Sequence, residues 1–275
     1  MRDNHFLRCW WAKTVTVLQV QFFRPAILFW NLIFPIFWGL QFYFQYLPFG
    51  AQEITDTLFN ISVQIPLVGY TLTGQFIWLL FVNASIYGGV FFLYERETQT
   101  LETLLMSPAS RVAVMLGATT AGLLNFFWFL IASSVILVLL RVPLVINDVL
   151  ACFLGLGVTV SAMIATGLFF QGLFIGSRIG GSLGTAIQEP MIFFSGLAFP
   201  VRYLPRFFIV IALSLPLSYG LFIFRGTVLA GLVLQDIIVP LIFLSILTLV
   251  MLVMGIQINR MIEAKIKKDA TTTLF

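Results

Sequence analysis

Apolar and polar positions along this chain fall in blocks, and charge-free runs near the roughly 20 residues a helix needs to cross a bilayer alternate with short polar stretches. The runs predict spans at 26–46, 72–94, 113–140 and 149–175, a fifth within 179–200, and a last at 237–258. Pro35 predicts a kink in the first. The fourth carries Gly155, Gly157, Gly167, Gly172 and Gly176, which let neighbouring helices approach closely. The fifth is interrupted by Glu189-Pro190. A helix starting near Leu183 leaves it about 18 residues, or roughly 27 Å, with Glu189 about 9 Å in from the cytoplasmic end.

Two segments follow other patterns. In residues 1–25, Leu7, Trp10, Trp11, Thr14, Val17, Leu18, Gln21 and Phe22 recur at three- and four-residue spacing. This predicts an amphipathic helix lying on the cytoplasmic surface, rather than a signal peptide with its continuous apolar run. Residues 207–224 are uncharged and long enough to cross, yet Ser214, Pro216, Ser218 and Gly220 break their middle. If they cross, the basic tail faces outside. If the external segment 201–225 is re-entrant, with two short helices meeting near Pro216, 11 of the 15 basic residues are cytoplasmic and both termini lie inside. The positive-inside rule favours the second arrangement. The stretch with Glu53 and Asp56 then reads as an external polar loop.

Composition sharpens the class. Of 275 residues, 60% are hydrophobic and 9% charged, and the mean hydropathy is +1.03. A soluble enzyme could not hide that apolar surface, and disorder requires the opposite composition. The expectation is a single all-α transmembrane domain over 1–275, placed by default in a plasma (inner) membrane. The formal charge of +4 reads as orientation, not nucleic-acid affinity. Cys9 and Cys152 fall in separated segments, unsuited to a disulfide, and with the lone His5 they form no metal spacing. None of the four lysines (Lys13, Lys265, Lys267, Lys268) follows a glycine, so the chain has no phosphate-binding loop.

The stretch from Tyr94 to Gly117 carries the most information. Leu101, Leu104 and Leu105 share one helical face, Glu95, Thr98 and Glu102 point elsewhere, and Ser107-Pro108 stops the helix. The segment reads either as a tight loop with solvated charges or as a docking knob for a soluble partner.

These residues resemble the type 2 ATP-binding-cassette export permeases, whose motif at this place is matched by Glu95, Arg96, Glu97, Thr100, Leu101, Glu102, Leu104, Leu105, Ser107, Pro108, Arg111 and Leu116-Gly117. A second likeness covers Ser195 to Pro205, Leu215 to Tyr219 and Arg225-Gly226, including Ser195, Gly196, Pro200, Pro205 and Pro216 of the external motif. Gln99, Ala118 and Leu215 depart from the pattern. The resemblance implies an exporter half. Two permease chains, the same or related, enclose the path, and two cytosolic ATPase subunits carry the ATP and magnesium, so that this chain binds no cofactor and catalyses nothing itself. It also implies that the cytoplasmic segment 95–110 holds the coupling helix and that segment 1–25 is the connecting helix beside it.

Among polar residues in spans, Glu189 reads either as a carboxylate meeting a cation or proton, or as a boundary residue capping a helix or pairing with Arg178. Asn83, Asn125, Gln171 and Gln75 read as path-lining residues or as hydrogen bonds between helices. The phenylalanines favour an amphiphilic, lipid-linked or drug-like substrate. A proton-coupled transporter using Glu189 and a non-transporting membrane scaffold are the competing readings.

Overall fold

The computed structural model describes residues 2–19, 23–46, 53–59, 61–86, 111–139, 141–175 and 180–272. Its elements in chain order are α1 (Arg2–Val17), α2 (Pro25–Tyr46), β1 (Glu53–Leu58), β2 (Ile61–Pro66), α3 (Leu67–Phe81), α4 (Arg111–Leu139), α5 (Val149–Ile175), α6 (Gly180–Phe194), α7 (Arg206–Ser214), α8 (Pro216–Leu229) and α9 (Leu234–Thr272). A π-helical stretch, Val82–Ile86, prolongs α3.

The fold is mostly helical. Leu67–Ala84, Leu116–Leu139, Val149–Phe170 and Leu234–Met261 are each long and apolar enough to cross a membrane, and a bent helix pair would make a fifth. Their burial differs sharply. The first is 89% buried and the last 17%, so α3 is the central post and α9 an outer helix of the chain. α3 packs against α2, α4 and α8, while α5 packs against α8 and α9. Phe76 of α3 stacks on Phe224 of α8 at 4.9 Å and meets Phe126 of α4 edge-on at 4.7 Å.

Several expectations need correction. The span expected at 72–94 begins at Leu67, directly after Pro66, which is both the last residue of the hairpin and the N-cap of the helix. The last helix is longer than 237–258, running from Leu234 to Thr272. α6 runs only from Gly180 to Phe194 and contains Pro190. The stretch expected as a polar loop is an antiparallel hairpin with Glu53 opposite Pro66 and Leu58 opposite Ile61, so the fold is not purely α. Ile54, Asp56 and Leu58 turn inward on β1, as do Val63 and Ile65 on β2.

α7 and α8 meet at an angle of 84°. The break falls at Leu215, held extended (φ −93°, ψ 122°) because the following Pro216 disfavours the helical region there and starts α8 as its first residue. Ser218 Oγ donates to Ala212 O at 2.7 Å and Tyr219 Oη to Leu213 O at 2.9 Å, bracing the corner. Of the α5 glycines, Gly155 brings Ile223 of α8 within 2.5 Å of where a Cβ would stand, whereas Gly157 meets nothing within 4 Å.

Candidate functional site

At the hairpin end of the bundle, four separate pieces of chain converge on one cation. Arg225 of α8 is 0% exposed. Its Nη1 donates to Gly196 O at 2.8 Å and lies 3.5 Å from Asp56 Oδ2 of β1. Its Nη2 donates to Tyr70 O of α3 at 3.1 Å and to Leu197 O at 3.4 Å. The guanidinium carbon also stands 3.5 Å from the centre of the Tyr70 ring, a cation–π contact in a desolvated setting. Gly196, at φ +85°, holds the left-handed turn that aims its carbonyl at the guanidinium. Arg225 Nε and the buried Ser195 hydroxyl have no partner among the described residues. Burial raises the carboxyl of Asp56 above its ordinary value, opposed by the charge of Arg225.

A second junction ties the neighbouring turns together. Asp148 precedes α5 and receives the N–H of Ala151 on Oδ1 and that of Leu234, the first residue of α9, on Oδ2, both at 3.1 Å. One carboxylate thus caps two helices, and these donors hold it below the usual carboxylate range. Val145 N donates to Val228 O at 2.9 Å, and Asn147 Nδ2 to Gly231 O at 3.0 Å, binding the same turn to α8 and to the α8–α9 connection.

At the opposite end, α1 packs against α4. Trp10 Nε1 donates to Thr120 Oγ1 at 3.1 Å, and Thr14 Oγ1 approaches Gly117 O at 3.2 Å. A Cβ on Gly117 would fall 2.7 Å from Trp10 O, so glycine permits this close approach. The expected apolar stripe of α1 is divided. Thr14 and Val17 are buried, while Leu7 and Trp11 are more than half exposed.

Other sequence candidates are placed as follows. Asn125 Nδ2 donates to Asn83 Oδ1 at 3.1 Å, and Asn83 Nδ2 to Leu79 O at 2.8 Å, so the two buried amides join α4 to the π-helical extension of α3. Gln171 falls on α5. Glu189 is exposed on α6, and Arg178, its expected partner, lies outside the described residues. Pro200 and Pro205 sit at the N-caps of a short 3-10 turn (Val201–Tyr203) and of α7. Glu95, Arg96, Glu97, Thr100, Leu101, Glu102, Leu104 and Leu105 also lie outside the described residues. Asp56 is not among the sequence candidates, although the alternation of Glu-Ile-Thr-Asp-Thr-Leu and Ile-Ser-Val-Gln-Ile is a strand signal that sets it on one face with Ile54 and Leu58.

Apolar membrane-length helices around a buried central helix define an integral membrane protein. The chain belongs to the ABC-2 type transporter family, whose sequence model matches residues 8–229. Members are membrane permease components of ABC transporters and work with ATP-binding subunits. No curated protein matches the chain.

Proposed function

We propose that this chain is one of two permease subunits of an ATP-driven exporter, with the path between the two chains and ATP hydrolysis on two separate cytosolic subunits. In this reading α2, α3, α4, α5, α6 and α9 are six spans, the α7–α8 pair is an external re-entrant corner, and both termini are cytoplasmic in a plasma membrane. The substrate is amphiphilic, lipid-linked or drug-like. Coupling runs through Glu95 to Leu105, with Glu102 and Leu101 central. Glu189, exposed on α6, faces the partner permease and the path.

The observation that carries the reading is the docking of α1 on the start of α4 through Trp10, Thr14 and Gly117. α4 begins at Arg111, so the motif-bearing segment 95–110 enters it a few residues from that dock. A soluble partner could there contact the motif and the amphipathic helix together.

The test is ATPase activity of the candidate soluble subunit, alone and with this chain reconstituted in lipid. Complex formation with stimulation by wild type, and complex formation without stimulation by Glu102→Arg, is the expected result. Absence of a complex with any ATPase, or full stimulation by the variant, overturns the reading.

A further inference from the structure

A cavity of about 570 Å³ opens between α2, α3 and α4, walled by Ile36 and Leu40 of α2, Leu72 of α3, and Ala132, Ile136 and Leu139 of α4 among others. Among the described lining residues the polar side chain is Thr71, whose hydroxyl donates to Val68 O at 2.9 Å within its own helix. Ordered water needs two to four polar partners, and these walls do not supply them. The occupant that fits is an alkyl chain. The lining runs from Leu32 to Leu40 on α2 and from Ile131 to Leu139 on α4, about 12 Å along each helix. A chain lying there follows the helix axes, as lipid tails do.

The rim at the hairpin end carries a charge. Arg141 stands two residues beyond Leu139, exposed and at φ +51°. The next side chain, Val142, packs 3.2 Å from where Gly69 would carry a Cβ, beside Val68 of the cavity wall. The turn is therefore anchored at the mouth, with the arginine on it. The other cations at this end, Arg202, Arg206 and Arg225, belong to elements that do not line the cavity. Of the acids at this end, Asp148 is committed to two backbone N–H groups, Asp56 to Arg225 and Asp236 to the N–H of Val233, while Glu53 lies on the hairpin, whose strands do not line the cavity.

We infer that this cavity binds one acyl chain of an anionic phospholipid of the surrounding bilayer, with the lipid phosphate held at Arg141. The lipid belongs to the leaflet at the hairpin end, and it is a resident ligand rather than cargo. The inference requires only that the chain is embedded in a membrane, so it stands or falls separately from the exporter reading.

Native mass spectrometry of the full-length chain, purified in mild detergent and titrated with dioleoyl phosphatidylglycerol or chain-matched phosphatidylcholine, tests it. Wild type should retain one phosphatidylglycerol, with a preference over phosphatidylcholine of roughly fivefold, the worth of one interfacial arginine. Arg141→Ser should bring both lipids to the lower level, while Arg206→Ser should leave the preference intact. Ala132→Phe should lose both lipids, and Ile136→Phe, at a less buried position, gives the same reading if the first variant folds poorly. Equal retention of the two lipids by wild type, or undiminished retention by both filling variants, overturns the inference. So does a disulfide between Ile36→Cys chains, which would mean that a second copy covers the cavity.

Discussion

Gly74 of α3 faces Arg225 so closely that a Cβ on it would fall 2.5 Å from Nη2, and 3.0 Å from a Leu197 methyl. The glycine is where it is because the arginine is there. An unrestrained arginine tip could swing away from an added methyl, but this one is pinned by three carbonyls and a carboxylate. Gly74→Ala should therefore destabilise by about 1–3 kcal/mol, as overpacking does, read as a lowered Tm of the purified chain. An unchanged Tm would mean that the guanidinium has slack.

Removing the counter-ion is a separate matter from crowding it. A buried ion pair is weak evidence of net stabilisation, yet stripping one partner leaves an uncompensated charge at a cost of about 3–5 kcal/mol. Asp56→Ala should approach the lower figure, since Arg225 keeps its carbonyl partners. Asp56→Asn should cost less than Asp56→Ala, because an amide oxygen can still accept from Nη1. The ordering of the two melting temperatures checks the claim, and a reversed order would contradict it.

Asp56 and Asp148 should respond to pH in opposite directions. The raised carboxyl of Asp56 binds a proton in the folded chain before it does in the unfolded one. Its contribution is fully present below the unfolded value of about 3.9 and is lost as pH rises through the folded value. The lowered carboxyl of Asp148 contributes above about 3.9 and loses that contribution as pH falls through its folded value. Melting curves across mild to strong acid for Asp56→Asn and Asp148→Ala, each subtracted from wild type, should slope oppositely. Parallel slopes would refute the assignment of one or both.

α1 should detach when its seat is filled. Gly117→Val places a side chain against the backbone of Trp10, which cannot yield as a flexible tip could. Limited proteolysis within residues 2–19 should accelerate markedly relative to wild type. Trp10→Phe, which removes the bond to Thr120 at a net worth of about 1 kcal/mol, should give a smaller effect. Equal resistance in all three proteins would show that α1 is held by other contacts.

The helices were legible in the sequence to the extent that one interaction decided them. Long charge-free runs located α2, α4 and α5 to within about two residues, since a bilayer-length apolar run has few alternatives to a helix. The corner at Pro216 was legible for a local reason, the constraint that proline imposes on its predecessor. The hairpin is hidden in the sequence, because Glu53 and Asp56 make the segment read as polar although Asp56 turns inward. Its partner Arg225 lies 169 positions further on, and only the assembled fold brings the two together. Asn83 and Asn125 were seen as polar residues within spans. That their amides meet each other depends on the relative rotation of two helices, which spacing along either one does not encode.

α9 is 39 residues long, or about 58 Å at 1.5 Å per residue, nearly twice the hydrocarbon thickness of a membrane. Its first residue is clasped by Asp148, and further along Asn259 Nδ2 grips Leu168 O of α5 at 2.8 Å. The two clasps, one at the start of α9 and one 25 residues further on, splint it to α5 over much of the thickness of a bilayer. The remaining turns beyond Asn259 carry the basic C-terminal residues Arg260, Lys265, Lys267 and Lys268 past that thickness.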